Sequence, residues 1–176
     1  MSGSDSKVDV EVVVVGAGFA GMYLLHRLRN EGFSAIVFEA GSGVGGTWYW
    51  NRYPGARCDV RSIDYSYSWD PELEQEWEWS EKFATQPELL RYANHVADRH
   101  DLRRDMQFNT KVESARWDEV TRRWLISTGH GKTVSCRHYV MATGCLSVPK
   151  PSELDGLDDF SGDVYFSGRW PHHEVD

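Results

Sequence analysis

Residues 12–21 read Val-Val-Val-Val-Gly-Ala-Gly-Phe-Ala-Gly, and residues 35–39 read Ala-Ile-Val-Phe-Glu. The four valines form a continuous β-branched run, which is typical of a parallel strand buried on both faces. The Gly-x-Gly-x-x-Gly turn that follows opens a helix, which we expect to end near Gly32. A second apolar strand then delivers Glu39, 18 residues after Gly21. This order predicts a βαβ unit that holds an ADP-containing dinucleotide.

The three glycines of the turn have separate predicted roles. Gly16 permits a tight turn, Gly18 lets the backbone approach a pyrophosphate, and Gly21 lets the helix pack closely on the strand. The helix N-terminus favours negative charge, and the Glu39 carboxylate is placed to accept hydrogen bonds from a ribose. The motif does not separate FAD from NAD, although an acid at position 39 argues against a 2′-phosphate at this site. An empty structural βαβ unit is the alternative interpretation.

Composition limits the class of protein. The chain has 176 residues, enough for one domain with a substantial core, and its net charge of −8 disfavours a nucleic-acid partner. Three scattered cysteines, Cys58, Cys136 and Cys145, favour a reducing cytosol and argue against a redox cysteine pair. No run of about 18 apolar residues occurs, so no membrane partner is expected. No Cys or carboxylate cluster completes a site around His95 or His100, so no metal site is expected either.

The remaining patterns predict an α/β fold. Thr85-Gln-Pro-Glu88 has the form of a capping box and indicates a helix to about His100. A meander of short strands is expected at residues 106–108, 112–117, 124–127 and 133–136, followed by a separate buried strand at residues 139–142. Together these elements predict a Rossmann-like domain with a parallel sheet plus a β-meander. Since neither a helix nor a strand pattern closes the sheet after residue 142, we expect the domain to be incomplete at the C-terminus.

Residues 45–59 read Gly-Gly-Thr-Trp-Tyr-Trp-Asn-Arg-Tyr-Pro-Gly-Ala-Arg-Cys-Asp. This stretch closely resembles the Gly-Gly-x-Trp-x-x-x-x-Tyr-Pro-Gly-x-x-x-Asp motif of Baeyer–Villiger monooxygenases, in particular the phenylacetone and cyclohexanone monooxygenase branch. The resemblance covers nearly the whole chain. It implies that residues 1–148 are the N-terminal part of an FAD-binding domain. Residues 149–176 would then be a linker toward an NADPH-binding domain in the remainder of the same polypeptide.

The resemblance also implies an activity. Members of this family use FAD and NADPH to convert ketones to esters or lactones with O₂, through a C4a-peroxyflavin and a rearranging peroxy adduct. The family's oxyanion-stabilising arginine lies beyond residue 176, so the isolated chain is expected to be inactive. The expected partners are a small ketone and O₂, and the expected location is the cytoplasm. The alternatives are a class B flavin monooxygenase that oxidises nitrogen or sulfur and, for the isolated chain, a non-catalytic FAD-binding module.

Roles for individual residues follow from the same resemblance. On the adenine side, Gly16, Gly18 and Gly21 would bind the FAD pyrophosphate, Glu39 its adenosine ribose, and the Val112 backbone would pass the adenine. The residues implied on the flavin and nicotinamide side are Gly46, Thr47, Trp48, Arg57, Asp59 and Tyr65.

Among these, Gly46, Thr47 and Trp48 would lie along the flavin, and Arg57–Asp59 would border the nicotinamide. Tyr65 and Asp59 would contact the cofactor. Asp59 is the one residue expected to be catalytic, because in the family it orients the arginine outside this chain and tunes its charge. A tight loop, a buried ring and a turn-capping carboxylate are the ordinary structural alternatives for Gly46, Trp48 and Asp59.

One position departs from the family pattern. The second family fingerprint, Phe-x-Gly-x-x-x-His-x-x-x-Trp-Pro, aligns with residues 160–171, but Phe166 stands in place of the His. In the family that His lies in the linker between the nucleotide domains and is tied to coupling of the two half-reactions. A phenyl ring can neither ionise nor donate a hydrogen bond. Either His172 or His173 serves nearby, or this protein couples the half-reactions by other means, or the residue is not essential.

Overall fold

The computed structural model describes residues 8–175. Its strands are β1 (Val10–Val15), β2 (Ala35–Phe38), β3 (Met106–Gln107), β4 (Val112–Asp118), β5 (Arg123–Thr128) and β6 (Thr133–Met141). Its α-helices are α1 (Phe19–Asn30), α2 (Thr47–Trp50), α3 (Pro71–Glu76) and α4 (Gln86–Arg99). Short 3₁₀ helices lie at Ser62–Tyr65, Arg103–Asp105, Leu157–Asp159 and Ser167–Arg169.

The described residues divide into two units. The sheet unit comprises residues up to 46 together with residues 93–144, and the aromatic unit comprises residues 47–92 together with the residues from 145 onward. Helix α4 contributes residues to both units. The boundary expected near residue 148, between an FAD-binding part and a linker, stays a prediction.

All six strands belong to one mixed sheet in the order β3-β2-β1-β6-β5-β4. Strand β1 lies between β2 and β6 and runs parallel to both, while β3 adds parallel to β2. Strands β4, β5 and β6 form an antiparallel meander. The predicted α/β fold, a parallel sheet joined to a β-meander, is therefore confirmed.

The valine run of β1 is buried on both faces of the sheet. Val12 and Val14 join Met22 and Leu25 of α1 in one core cluster. Val13 points to the opposite face, where it packs with Phe38 in a second cluster. Side chains of a strand alternate between faces, so a run of four apolar residues fills both cores at once.

Strand β6 differs from the prediction of two separate strands at residues 133–136 and 139–142. It is one continuous strand, because pairing with β5 on one edge and with β1 on the other edge together extends over its whole length. Its first half pairs antiparallel with β5, from Ser127↔Thr133 to Trp124↔Cys136, and its second half runs parallel to β1 as far as Val15↔Met141. The exposed side chains at 137 and 138 interrupt the apolar pattern without interrupting the backbone pairing.

Strand β3 was expected to belong to the meander, and that expectation is wrong. Met106 pairs in parallel with Val37 of β2, which places β3 at the sheet edge opposite β4. A parallel partner distant in the chain leaves no turn signal in the sequence. Met106 is buried in the core cluster beside Leu102.

The helix ends follow local sequence signals in part. Helix α1 ends at Asn30, and Gly32 adopts a φ of +81° just beyond it, as the sequence predicts. Helix α4 begins after Thr85, but Glu88 does not complete the capping box. Its two carboxylate oxygens accept hydrogen bonds from the N–H and the hydroxyl of Ser80, at 2.9 and 2.8 Å.

Aromatic rings form the packing of the aromatic unit. The buried Tyr92 hydroxyl accepts a hydrogen bond from the Tyr67 N–H at 2.8 Å. The rings of Trp77 and Trp79 lie with their centroids 5.2 and 5.0 Å from that of Tyr92. Most aromatics of this region thus serve as packing, as their clustering in the sequence indicates. Within residues 8–175, no helix combines the length and the apolar character needed to cross a bilayer.

The core assignment is testable with a matched pair of leucines. Leu25→Ala should lower the free energy of unfolding by about 2–5 kcal/mol, because it leaves a cavity in a packed core. Leu154→Ala makes the same chemical change at a residue that is 74% exposed, and should cost less than about 0.5 kcal/mol. Urea denaturation followed by circular dichroism measures both. Equal losses in the two variants would contradict the core described above.

Candidate functional site

The glycine turn is shaped by backbone atoms that leave no room for side chains. Gly16 adopts a φ of +103°, and a Cβ there would lie 2.6 Å from the Ala142 carbonyl oxygen at the end of β6. A Cβ on Gly21 would lie 1.9 Å from the carbonyl oxygen of Gly16. Helix α1 therefore starts directly against the end of β1, and its first N–H groups have no intrahelical partner. A helix start of this geometry favours negative charge beside it.

Gly18 and Gly46 bring two loops of the sheet unit together. Gly46 has a φ of +55°, and a Cβ on it would lie 2.8 Å from the Gly18 Cα. The Gly45 N–H donates to the Ala17 carbonyl at 3.0 Å beside this contact. Gly18 itself has an ordinary extended conformation, with φ −77°. A Cβ on Gly18 would lie 3.4 Å from the Gly46 Cα, so neither backbone strain nor crowding within the chain requires a glycine at this position.

The Glu39 carboxylate holds these loops in place. One oxygen accepts the Ala17 N–H and the other accepts the Gly41 N–H, both at 2.7 Å. The residue is only 5% exposed. A carboxylate has about four lone-pair directions, so each oxygen keeps capacity for a further donor such as a ribose hydroxyl. The sequence predicts that this carboxylate accepts hydrogen bonds from a ribose. It does not predict the hydrogen bonds that the carboxylate accepts from the backbone N–H groups of Ala17 and Gly41.

The segment before β4 is attached to the same loop. The Thr110 N–H donates to the Glu39 carbonyl at 2.8 Å, and the Asn109 N–H donates to the Gly41 carbonyl at 2.9 Å. Val112 opens β4 two residues later, next to a register shift against β5. The predicted adenine-side residues Gly16, Gly18, Gly21, Glu39 and Val112 thus all belong to the sheet unit, as does Gly46.

In the aromatic unit, Trp48 and Tyr65 form a contact. Trp48 lies in α2 after Thr47 and is 7% exposed, and its carbonyl accepts a hydrogen bond from the side-chain amide of Gln86. The rings of Trp48 and Tyr65 meet edge to face at 5.7 Å between centroids. Burial is the main cause that raises the pKa of the Tyr65 hydroxyl, while its hydrogen bond with Trp48 opposes the shift.

The Arg57–Asp59 segment is fixed by the stretch before α4. Residue 57 forms a β-bridge with Thr85, and the Cys58 N–H donates to the Ala84 carbonyl at 3.1 Å. The Arg57 guanidinium pairs with Glu81 and donates to the Phe83 carbonyl at 3.0 Å. Asp59 is exposed and contributes to the raised pKa of Tyr65 through its charge.

The structure thus brings together Trp48, Tyr65 and Asp59, and separately the glycine turn and Glu39. The sequence does not predict that residues 56–58 are hydrogen-bonded to residues 83–86, an arrangement that we call the clasp. Hydrogen bonds between loops that are distant in the chain leave no periodic signal. Nor does the sequence predict the hydrogen bonds from Asn109 and Thr110. Among residues 8–175, no group of three or more His, Cys, Asp and Glu side chains comes together as metal ligands would.

Comparison with known proteins shows which proteins this arrangement is similar to. Residues 14–75 match the family model of an NAD(P)-binding Rossmann-like domain. The chain is 46% identical, over 93% of its length and 30% of the relative's, to a Baeyer–Villiger monooxygenase of Pseudooceanicola batsensis. It is 44% identical, over 95% of its length and 31% of the relative's, to the phenazine N-monooxygenase PhzNO1 of Lysobacter antibioticus.

Solved structures agree with these relatives. An oxidised steroid monooxygenase bound to NADP superposes with a TM-score of 0.87 at 61% identity, over 95% of this chain and 32% of that one. The OTEMO complex with FAD and NADP superposes with a TM-score of 0.89 at 43% identity, over 94% of this chain and 31% of that one. The chain matches the N-terminal FAD-binding part of the Baeyer–Villiger monooxygenases. It spans about a third of the length of these monooxygenases.

The bridging role of Glu39 is testable. Glu39→Gln should lower the free energy of unfolding by about 1–3 kcal/mol, because the side-chain NH₂ would face a buried backbone N–H. Glu31→Gln removes an exposed charge paired with Arg27, and should cost less than about 0.5 kcal/mol. Chemical denaturation of the two variants measures the difference. Indistinguishable stabilities would refute the bridge.

The close approach at Gly21 is testable with the same substitution at two glycines. Gly21→Ala should cost about 1–3 kcal/mol or more, because the methyl group must push α1 away from the Gly16 carbonyl. At Gly18 the added Cβ would lie 3.4 Å from the Gly46 Cα, in ordinary contact. Gly18→Ala should therefore cost only about 1 kcal/mol or less, as a change of N-cap residue. Thermal unfolding compares the two, and a more damaging Gly18→Ala would contradict the packing described.

Proposed function

We propose that the whole protein is a flavin-dependent Baeyer–Villiger monooxygenase that uses FAD and NADPH to convert a ketone to an ester or lactone with O₂. The observation that carries the proposal is the fully matched motif of residues 45–59. The structure folds this motif into α2, with Trp48 buried against Tyr65, and into a clasped segment that ends at the exposed Asp59. The 46% identity to a Baeyer–Villiger monooxygenase supports the same conclusion.

The sheet unit fits the ADP half of FAD. Gly18, at the start of α1, offers backbone without a side chain, and the N-terminus of α1 favours the negative charge of a pyrophosphate. Glu39 would accept from a ribose hydroxyl with the lone pairs that Ala17 and Gly41 leave free. The Val112 backbone would pass the adenine. When bound, the flavin supplies O₂ activation with electrons from NADPH.

The aromatic unit would serve the reactive half of the cofactors. Thr47 and Trp48, together with Gly46, would line the flavin and exclude water from it. Tyr65 would contact the cofactor with its phenolic hydroxyl, which can donate and accept hydrogen bonds. Arg57, held by Glu81 and Phe83, would border the nicotinamide.

Asp59 is the residue we assign a catalytic role. Its exposed carboxylate is available to pair with a cation supplied by the remainder of the polypeptide. A carboxylate within about 4–6 Å of a guanidinium favours the charged form of both groups. The ion pair also fixes the direction in which the guanidinium points. Asp59 would thereby orient the arginine that stabilises the oxyanion formed from the ketone.

Partners and location complete the proposal. A small ketone and O₂ are the proposed reactants, and the remainder of the same polypeptide is the proposed structural partner. A cytoplasmic location is proposed because Cys58, Cys136 and Cys145 are free thiols, which suit a reducing compartment.

N-oxidation of a soft nucleophile is the second candidate function. The 44% identity to a phenazine N-monooxygenase favours it specifically. The difference between the two functions is chemical. A ketone must be attacked at carbon, whereas a heteroaromatic nitrogen itself attacks the oxygen donor.

Product analysis of the whole-length protein decides between the two. With NADPH, FAD and O₂, a ketone panel should give esters or lactones carrying one oxygen atom from labelled O₂. N-oxide from phenazines without any ester would assign the second function instead. Asp59→Ala should abolish ester formation while FAD stays bound. Retained ester formation would remove Asp59 from the catalytic role.

Cofactor binding is testable on the present chain. Titration with FAD should perturb the visible flavin spectrum, and NAD should not compete. Gly18→Ala should weaken FAD affinity about tenfold or more, since a loss of about 1.4 kcal/mol in binding is a tenfold change. The folding control for this variant is the thermal unfolding described above. Equal FAD affinity in wild type and Gly18→Ala would place the pyrophosphate elsewhere.

A further inference from the structure

The segment from residue 145 to 175 has little regular secondary structure. It contains only two single-turn 3₁₀ helices among its described residues, and apolar side chains such as Val148, Leu154 and Phe160 are largely exposed. Several local contacts shape it, among them the ion pair of Lys150 and Glu153. The rings of Tyr165 and Trp170 meet at 5.4 Å, and Gly168 lies against Pro149. The end of this segment is therefore positioned in part by contacts of its side chains.

His172 is one of those side chains, and it contacts helix α2. Its imidazole meets the Tyr49 ring edge to face at 5.4 Å between centroids, and the Trp50 ring at 6.2 Å. Tyr49 and Trp50 pack on each other at 4.8 Å and an interplanar angle of 84°. The imidazole therefore sits against a platform of two mutually braced rings, immediately after Trp48 in the chain.

Arg52 completes the platform. Its guanidinium lies over the Tyr49 ring at 4.8 Å, and its Nε–H donates to the Tyr49 carbonyl at 2.7 Å. Burial first and the positive charge of Arg52 second lower the pKa of His172 from its usual 6.5. The titratable or charged groups around the imidazole are Tyr49 and Arg52 on the platform side and His173 and Glu174 in its own segment.

We propose that His172 is a positioning residue that anchors the 145–175 segment on the Tyr49–Trp50 platform and thereby fixes α2 and its Trp48. This inference rests on the proposed function for its catalytic consequence. It also selects between the two histidines near Phe166. The Nδ1 of His173 lies 2.9 Å from the carbonyl of the adjacent Glu174, whereas His172 reaches across to α2. Phe166 is 39% exposed and precedes the second 3₁₀ turn of the segment.

The anchor has a defined pH dependence. A neutral imidazole fits beside the guanidinium, while an imidazolium would be repelled by it, and Arg52 already occupies the cation site over Tyr49. Since the pKa of His172 is lowered in the folded protein, the contact is complete above pH 6.5 and weakens as the pH falls from there through the lowered value. Acidification should thus release the segment from α2.

The contact is tested first in the present chain, with no cofactor or substrate. Nuclear magnetic resonance should show the His172 imidazole titrating at lower pH than in a peptide of residues 168–175. Arg52→Gln should raise the His172 midpoint, and Tyr49→Ala should move its ring-shifted resonances toward the peptide values. His173→Gln is the matched control and should leave the His172 titration in place. Peptide-like behaviour of His172 in the wild-type chain would overturn the anchor.

The positioning role is tested in the whole-length holoenzyme by the fraction of NADPH oxidation that yields H₂O₂ instead of oxygenated product. His172→Ala should raise this uncoupled fraction about threefold or more, because a displaced α2 misplaces the groups that surround the reaction. His172→Phe keeps an aromatic ring and should restore much of the coupling while removing its loss at acidic pH. His173→Ala should match wild type.

These two tests separate the inference from the proposed function. A whole-length protein that oxidises no ketone and no phenazine would defeat the proposed function, while the magnetic resonance titration still decides the anchor. A demonstrated anchor combined with unchanged coupling in His172→Ala would overturn the positioning role alone.

Discussion

Two backbone N–H groups, from Ala17 and Gly41, converge on the buried carboxylate of Glu39, and the loops around the glycine turn depend on this interaction. Glu39 stands at the end of β2, so the carboxylate ties that strand to the turn that follows β1. Its own backbone carbonyl accepts from Thr110 and adds a third segment. Buried in a low-dielectric environment, such charge-assisted hydrogen bonds are stronger than their counterparts in water. The position of the turn is thus set by the sheet rather than by the turn residues alone.

Much of the sheet unit could be predicted because its signals are local. The valine run, the three glycines and the terminal acid occupy fixed offsets along one stretch of chain, and the structure shows the strand, helix and second strand that they indicate. The continuity of β6 could not be predicted, because it results from two neighbours that run in opposite directions. The same holds for β3, whose partner lies far away in sequence. The carboxylate bridge of Glu39 depends on loop geometry that no periodicity encodes.

Two relatives of nearly equal identity are named for different chemistries, one for Baeyer–Villiger oxidation and the other for N-oxidation of phenazines. Similar identity to both relatives over this segment is compatible with either chemistry, since one fold can host different reactions. What differs is the electronic character of the acceptor. The features that discriminate a carbonyl carbon from a basic nitrogen therefore need not reside in the glycine turn or in the Glu39 bridge. Function in such proteins is decided by the site rather than by the fold.

The central place of β1 has a consequence for biosynthesis. This strand leaves the ribosome more than 100 residues before β6, yet one of its two edges is completed by β6, with Val10 opposite Cys136. Until residues 133–141 emerge, the nascent chain carries a valine-rich edge with β2 as its neighbour on one side only. Open apolar edges of this kind are templates for intermolecular pairing. The order of synthesis therefore leaves one edge of β1 open until β6 pairs with it, and a delay in translation between α4 and β6 would prolong the interval in which the chain is prone to aggregate.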